Sequence, residues 1–169
     1  LIRYKEKLSK IDLIREDGFL IWLHVASVGE AMSILPIIEN LIKEEKINKI
    51  LLTSITLSSG KVIEKKFYKN KKIIHQFLPL DIPIYVEKFL KHWKPNVSIF
   101  IDSEIWPNLI SQISKKKIPL LLVNARITKK SFDRWKLAIG FAKKIFGMFD
   151  LCIASNKESE NFLKILGAK

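Results

Sequence analysis

An α/β fold, built on a parallel sheet with helices on both faces, follows from three features of this sequence. Apolar runs of about four to seven residues recur along the chain, and stretches with helical periodicity separate one run from the next. None of the runs reaches membrane length: Phe19–Leu23 and Ile118–Val123 are the longest, far below the roughly 18 to 20 residues that a spanning helix needs. Runs this short, alternating with helical periods, describe buried parallel strands joined by crossover helices, a doubly wound sheet of Rossmann type.

Each element can be placed in order. The charged start, Leu1–Asp17, lacks a signal-peptide layout and reads as a helical lead-in or a cut end; with no Met it reads as part of a longer chain. Phe19–Val25 is the first strand, and Leu35, Ile38, Leu41 and Ile42 form a helical stripe after it. Lys49–Ser54 is the second strand, followed by a Lys-rich helix over about Ser59–Tyr68 and a third strand, Lys72–Phe77. A helix from Ile82 to Trp93 puts Val86, Phe89, Leu90 and Trp93 on one face. Val97–Ile101 is the fourth strand, before a helix over about Trp106–Lys116, and Pro119–Val123 is the fifth, before one long helix over about Lys130–Phe146. Leu151–Ala154 and a helix over Glu158–Leu166 close the chain, with Gly167 as the C-terminal cap.

Composition narrows the class. The 169 residues are 48% hydrophobic with only six Gly and six Pro, which excludes disordered and fibrous chains and fits one domain over residues 1–169. A lone cysteine, Cys152, excludes an internal disulfide framework and a CxxC-type zinc cluster. His75 and His92 show no metal-ligand spacing, so no metal site is expected. Thirty Lys plus Arg against seventeen Asp plus Glu leave a net charge of +13, yet only Arg3, Arg15, Arg126 and Arg134 are arginine. Lysine offers no bidentate fork for bases and phosphates. An anionic membrane surface or a phosphorylated acceptor therefore suits this charge better than nucleic acid does.

In doubly wound sheets ligands sit at the carboxyl ends of the strands. That rule selects His24–Glu30, Thr53–Gly60, Leu78–Asp81, Asp102–Asn108 and Asn124–Trp135. The first, HVASVGE, holds one glycine, Gly29, where a dinucleotide fingerprint would hold three. Glu30 would repel a pyrophosphate there and suits a hydroxyl-bearing ligand. Ser27 and Glu30 are spaced as a capping box, but Pro36 would then fall inside the helix at a cost of about 3 kcal/mol. Ser33 is the better cap on that argument, leaving Glu30 in a loop, as a catalytic acid or as a capping or solvated one. Glu104 is either a helix-dipole acid or a second cleft acid that binds hydroxyls or holds Arg126. Arg126 pairs with Glu104 or Asp102, or else meets an anionic substrate. His24 reads as a satisfied core histidine, with a base as the alternative.

The loops also carry a resemblance. IWLHVASVGE at 21–30, FLPLDIP at 77–83, PNVSIFIDSE at 95–104, SEIWPNLI at 103–110 and LVNARIT at 122–128 resemble the 3-deoxy-D-manno-octulosonic acid (Kdo) transferases of Gram-negative bacteria, in order, from about Phe19 to the end of the chain. The resemblance implies the N-terminal, acceptor-binding half of a GT-B glycosyltransferase that moves Kdo from CMP-Kdo to a lipid A precursor without metal or cofactor. CMP-Kdo contacts would lie mostly in a C-terminal domain outside this chain, and isolated, the chain would not turn over. The parent would be membrane-anchored at the cytoplasmic face of the inner membrane. Glu30 then matches the family's general base, and Glu104 its second acid. Ser27, Gly29, Asn108, Asn124 and Arg126 match positions carried as substrate-binding candidates. The family motif usually has Glu at or near Asp102, which leaves the role of Asp102 open. Two alternatives remain: a GT-B enzyme for another nucleotide sugar, and a basic nucleic-acid-binding α/β module.

Overall fold

A computed structural model describes residues 3–169. The first two residues of the expected lead-in, Leu1 and Ile2, lie outside the described residues. The rest of the lead-in is helical for one turn only, α1 (Tyr4–Lys7), before an irregular stretch reaches the sheet. Six strands form one parallel sheet: β1 (Leu20–His24), β2 (Lys49–Ser54), β3 (Ile73–Phe77), β4 (Val97–Ile101), β5 (Leu120–Ala125) and β6 (Leu151–Ala154). Their order, β3-β2-β1-β4-β5-β6, is the Rossmann order, and it reverses direction between β1 and β4. This is the arrangement expected of the N-terminal half of a GT-B enzyme.

The two faces divide by residue parity, because successive strand side chains point to opposite sides. Leu20 and Trp22 of β1, Leu51 of β2, Phe100 of β4, and Leu120 and Leu122 of β5 enter one core with α5 (Pro83–Trp93), α6 (Pro107–Lys115), α8 (Ile139–Phe146) and α9 (Lys157–Leu166). Ile21, Leu23 and Val25 with Ile50 and Leu52 enter the other, under α2 (Val28–Ser33), α3 (Leu35–Lys43) and α4 (Leu57–Phe67). That second layer ends before the last strands. Leu151 and Ile153 of β6, in register with Leu121 and Val123, are about half exposed.

The chain departs from the sequence expectation at three places. The helix expected over Lys130–Phe146 is two, α7 (Lys129–Lys136) and α8, which meet at Leu137–Ala138. In one straight helix Trp135 and Phe146 would sit about 16 Å apart along the axis. The turn brings their rings to 5.3 Å, edge to face, and sets Trp135 against Phe141 as well. No Pro marks the break, and the apolar period runs through it unbroken, so the sequence gives no sign of it.

Second, Ser33 caps nothing. Ser27 is the N-cap of α2, its Oγ accepting from the Glu30 N–H, and the helix stops at Ile34. Pro36 then sits in the first turn of α3, where its missing N–H costs nothing. The conflict between a cap at Ser27 and a proline at 36 is resolved by dividing the segment, so Glu30 is a residue of the short helix rather than of a loop. Third, β5 runs on to Ala125 and bulges between Val123 and Ala125, placing Asn124 at the bulge instead of in the following loop. Gly167 does cap α9, at φ +100°, and a Cβ there would lie 2.8 Å from the Cα of Lys143.

Candidate functional site

The carboxyl ends of β1 and β4 meet at the reversal point, and each delivers a carboxylate. After β1 the chain turns through Ala26 and Ser27 into α2, whose first turn carries Glu30. Both oxygens of that carboxylate are held locally. The Ala26 N–H donates to Oε2 at 2.8 Å and the Ser27 hydroxyl to Oε1 at 2.9 Å, while the Glu30 N–H donates back to Ser27 Oγ at 3.2 Å. The result is a capping box shifted by one residue, its acid taking the N–H before the cap instead of the cap's own.

Glu30 titrates above its ordinary value. Burial is the main cause, and the nearby charges of Glu104 and Asp102 push the same way; the bonds from Ala26 and Ser27 oppose them. Glu104 and Asp102 therefore lie within electrostatic reach of Glu30 across the reversal point. Gly29, beside Glu30, is exposed, and a Cβ added there would meet only Ser27 Oγ at 3.9 Å. The chain's own packing does not require glycine at this position.

Glu104 is held differently. Its Oε2 accepts from the Trp106 indole N–H at 2.8 Å and faces the Nε2 of His24 at 3.3 Å. His24 is wholly buried, with its Nδ1 2.9 Å from Thr53 Oγ1 on the neighbouring strand. It is thus a satisfied core histidine that also touches a site carboxylate. Glu104 takes these partners and not Arg126, which is exposed and makes no ion pair among the described residues.

The remaining candidates are distributed around this centre. Asn108 is spent on Asp81: its backbone N–H and that of Leu109 donate to the Asp81 carboxylate at 3.1 and 2.8 Å, and its side-chain amide donates to the Asp81 carbonyl at 2.7 Å. Asp81 thereby caps α6 from the end of the β3 loop, satisfying N–H groups that Trp106, the local N-cap residue, leaves unbonded. Asp102, just after β4, and Asn124, at the bulge near the end of the adjacent β5, both adopt the left-handed backbone region at φ 63° and 55°. Short Asx side chains enter that region more readily than other non-glycine residues. Sequence reasoning assigned no role to Thr53, Asp81 or the Trp106 ring, although all three lie in or beside the strand-end segments. The signal available was positional: a hydroxyl, an acid and an indole N–H at the ends of β2 and β3 and the start of α6.

Two hollows of about 360 and 370 Å³ lie elsewhere, one beside β6 and α9 and one between the N-terminal segment and β3. No group of three or more His, Cys, Asp or Glu among the described residues is arranged to hold a metal ion, and no described helix is long and apolar enough to cross a membrane.

Residues 2–169 match the family described as 3-deoxy-D-manno-octulosonic-acid transferase (kdotransferase). The chain belongs to this family. It is 40% identical over 161 residues to the 3-deoxy-D-manno-octulosonic acid transferase of Rickettsia bellii, covering 95% of this chain and 38% of that protein. It is 45% identical over 132 residues to the Rickettsia conorii enzyme of the same name, covering 78% of this chain and 27% of that one. A probable mitochondrial 3-deoxy-D-manno-octulosonic acid transferase of Arabidopsis thaliana is 41% identical over 133 residues, which cover 79% of this chain and 29% of that protein. The chain thus spans about a third of the length of these curated relatives. Within this kdotransferase chain, the segment 21–30 covers β1 and the start of α2, 103–110 the turn after β4 and the start of α6, and 122–128 the end of β5 and the turn after it, so all three lie at the carboxyl edge of the sheet.

Proposed function

We propose that this chain is the acceptor-binding half of an enzyme that transfers Kdo from CMP-Kdo to a lipid A precursor, with Glu30 as the general base. The observation that carries the reading is the placement of Glu30 at the reversal point in a chain of the kdotransferase family, its carboxyl titrating above the ordinary range. A base must be ionised before the reaction and basic enough to take a proton during it. A carboxylate raised by burial moves toward that optimum, while two hydrogen bonds keep its charged form accessible.

In the proposed step an acceptor hydroxyl oxygen attacks the anomeric carbon of Kdo. The bond from that carbon to the CMP phosphate oxygen breaks, CMP leaves with the electron pair, and the hydroxyl proton passes to Glu30. Glu104 accepts a hydrogen bond from the acceptor. Ser27, Gly29, Asn124 and Arg126 line the approach, with Gly29 allowing close contact and Arg126 free for an anionic group. Asn108, which shapes the start of α6 through Asp81, contributes by holding that rim in place. CMP-Kdo is held by a C-terminal domain outside this chain, and the catalytic unit needs both domains.

The lysine surplus serves the acceptor's surroundings. A lipid A precursor carries phosphates and sits in an anionic leaflet at the cytoplasmic face of the inner membrane, where each nearby Lys contributes about 1 kcal/mol. The deciding experiment is Kdo transfer from CMP-Kdo to a lipid A precursor by the full-length protein and by its Glu30→Gln form. Glutamine keeps size and hydrogen bonding but accepts no proton. Transfer by the native protein with loss in a folded variant supports the reading. Equal rates return Glu30 to capping alone, and no transfer by the native protein removes the assigned substrates.

A further inference from the structure

We propose that His24 is a positioning residue for Glu104, fixed in one tautomer by Thr53. In this arrangement Trp22, Thr53, His24, Glu104 and Trp106 form one directional hydrogen-bond relay beneath the reversal point. The directions follow from what each group can donate. A carboxylate only accepts, so the proton between His24 and Glu104 belongs to His24 Nε2, 3.3 Å from Glu104 Oε2. In a neutral ring Nδ1 is then an acceptor. The hydroxyl of Thr53, 2.9 Å away, is the donor placed to meet it. Thr53 can give its proton to the ring because a lone pair of its oxygen already takes the Trp22 indole N–H at 2.8 Å.

The other protonation states fit worse. A ring protonated only at Nδ1 would turn a bare Nε2 lone pair toward a carboxylate in a buried setting. A doubly protonated ring would have to send its Nδ1–H to the Thr53 carbonyl at 3.3 Å or to the nearer hydroxyl, which would then have to turn its own proton to the Leu23 carbonyl, 3.5 Å away. Glu104 is the ionisable group in hydrogen-bonding reach of the ring, and Phe100 closes its side with an edge-to-face contact at 5.3 Å.

The consequence for Glu104 is asymmetry between its two oxygens. Oε2 is fixed by two N–H groups, from Trp106 and His24, whereas Oε1 accepts no hydrogen bond among the described residues. The side chain is 15% exposed. A carboxylate pinned at one oxygen and open at the other offers a ligand hydroxyl an acceptor of fixed direction. That this hydroxyl belongs to the acceptor sugar rests on the function proposed above; the relay itself does not.

The test uses nitrogen-15 NMR of the His24 ring together with steady-state kinetics, both on the full-length protein. The native ring is expected as the Nε2–H tautomer. Thr53→Val removes the hydroxyl that donates to Nδ1 and leaves only the backbone carbonyl, an acceptor 3.3 Å away, so the ring proton should move to Nδ1 and the Nε2–H tautomer should be lost. Transfer should fall between about ten- and a hundredfold in kcat, with KM for CMP-Kdo unchanged. Thr53→Ser keeps a hydroxyl and should restore both the tautomer and the rate. An Nδ1–H tautomer in the native protein overturns the relay, as does a Thr53→Val protein matching the native one in both readouts, or a loss that Thr53→Ser fails to restore. A native protein with the Nε2–H tautomer but no Kdo transfer leaves the relay standing and removes the proposed substrates.

Discussion

Glu30 and Glu104 flank the same reversal point and are held by opposite means. Every group that grips the Glu30 carboxylate lies within four residues of it in the chain. Glu104 has one partner two residues away, Trp106, and another 80 residues away, His24, which is buried between strands. The first carboxylate is anchored by a helix start and the second by the sheet. The His24 ring behind Glu104 is itself bonded to Thr53 of β2, so the position of this carboxylate depends on the packing of the sheet as well as on its own loop. The locally held acid is the one proposed to take the proton, and the acid held across the sheet the one proposed to orient the acceptor.

The largest expected effect separates these roles directly. Glu30→Gln in the full-length protein should lower kcat for Kdo transfer by about 10²- to 10⁴-fold, the range of general base catalysis, with unchanged circular dichroism. A drop confined to KM would place Glu30 in binding instead. Next come two opposed shifts in the acid limb of the pH–rate profile, which reports the Glu30 ionisation if Glu30 is the proposed base. Glu104→Gln removes a negative neighbour that pushes Glu30 upward, so the limb should move to lower pH. Ser27→Ala removes a bond that favours the charged form, so the limb should move to higher pH. Shifts in the same direction would mean that the limb belongs to another group.

Ser27→Ala should also cost about 1 kcal/mol of stability in urea unfolding, the usual loss for a missing N-cap. The smallest effect is on the pH dependence of stability. Because folding raises the Glu30 value above 4.5, the contribution of this group is fully present below pH 4.5 and is lost as pH rises through the folded value. Glu30→Gln has no such titration, so the native protein's stability relative to the variant should decline from acid to neutral pH. A flat difference would show that folding leaves the Glu30 ionisation unshifted.

The same contrast between near and distant partners explains what could be read from the sequence. The strands were legible because a buried parallel strand must be apolar on both faces, and Leu20–His24 and Leu120–Val123 are close to that. Gly167 was legible because a left-handed cap favours glycine. The spacing of Ser27 and Glu30 signalled the capping box, and Pro36 hid it, since a proline that forbids one long helix also permits two short ones. The fold-back of α7 on α8 depends on Trp135 reaching Phe146, a contact without a local signature. The bond from His24 to Glu104 depends on β1 and β4 being neighbours, although β2, β3 and the helices α2 to α5 separate them in the chain. Asp81 was missed for a related reason, because it caps a helix 27 residues further on.

The left-handed backbone at Asp102 and Asn124 bears on how these two positions can drift over evolutionary time. A residue held at φ 63° or 55° is selected first for tolerating that dihedral angle. Glycine, asparagine and aspartate tolerate it best, whereas a β-branched residue would carry strain of about 1 to 3 kcal/mol. Glutamate, the residue the related motif usually shows at or near position 102, has a longer side chain that gains less from local bonding in this conformation. Two adjacent strand ends therefore admit a narrow and shared alphabet, within which charge can come and go. At position 102 an exchange of aspartate for asparagine would keep a residue that tolerates the dihedral angle while removing one of the charges that push Glu30 upward.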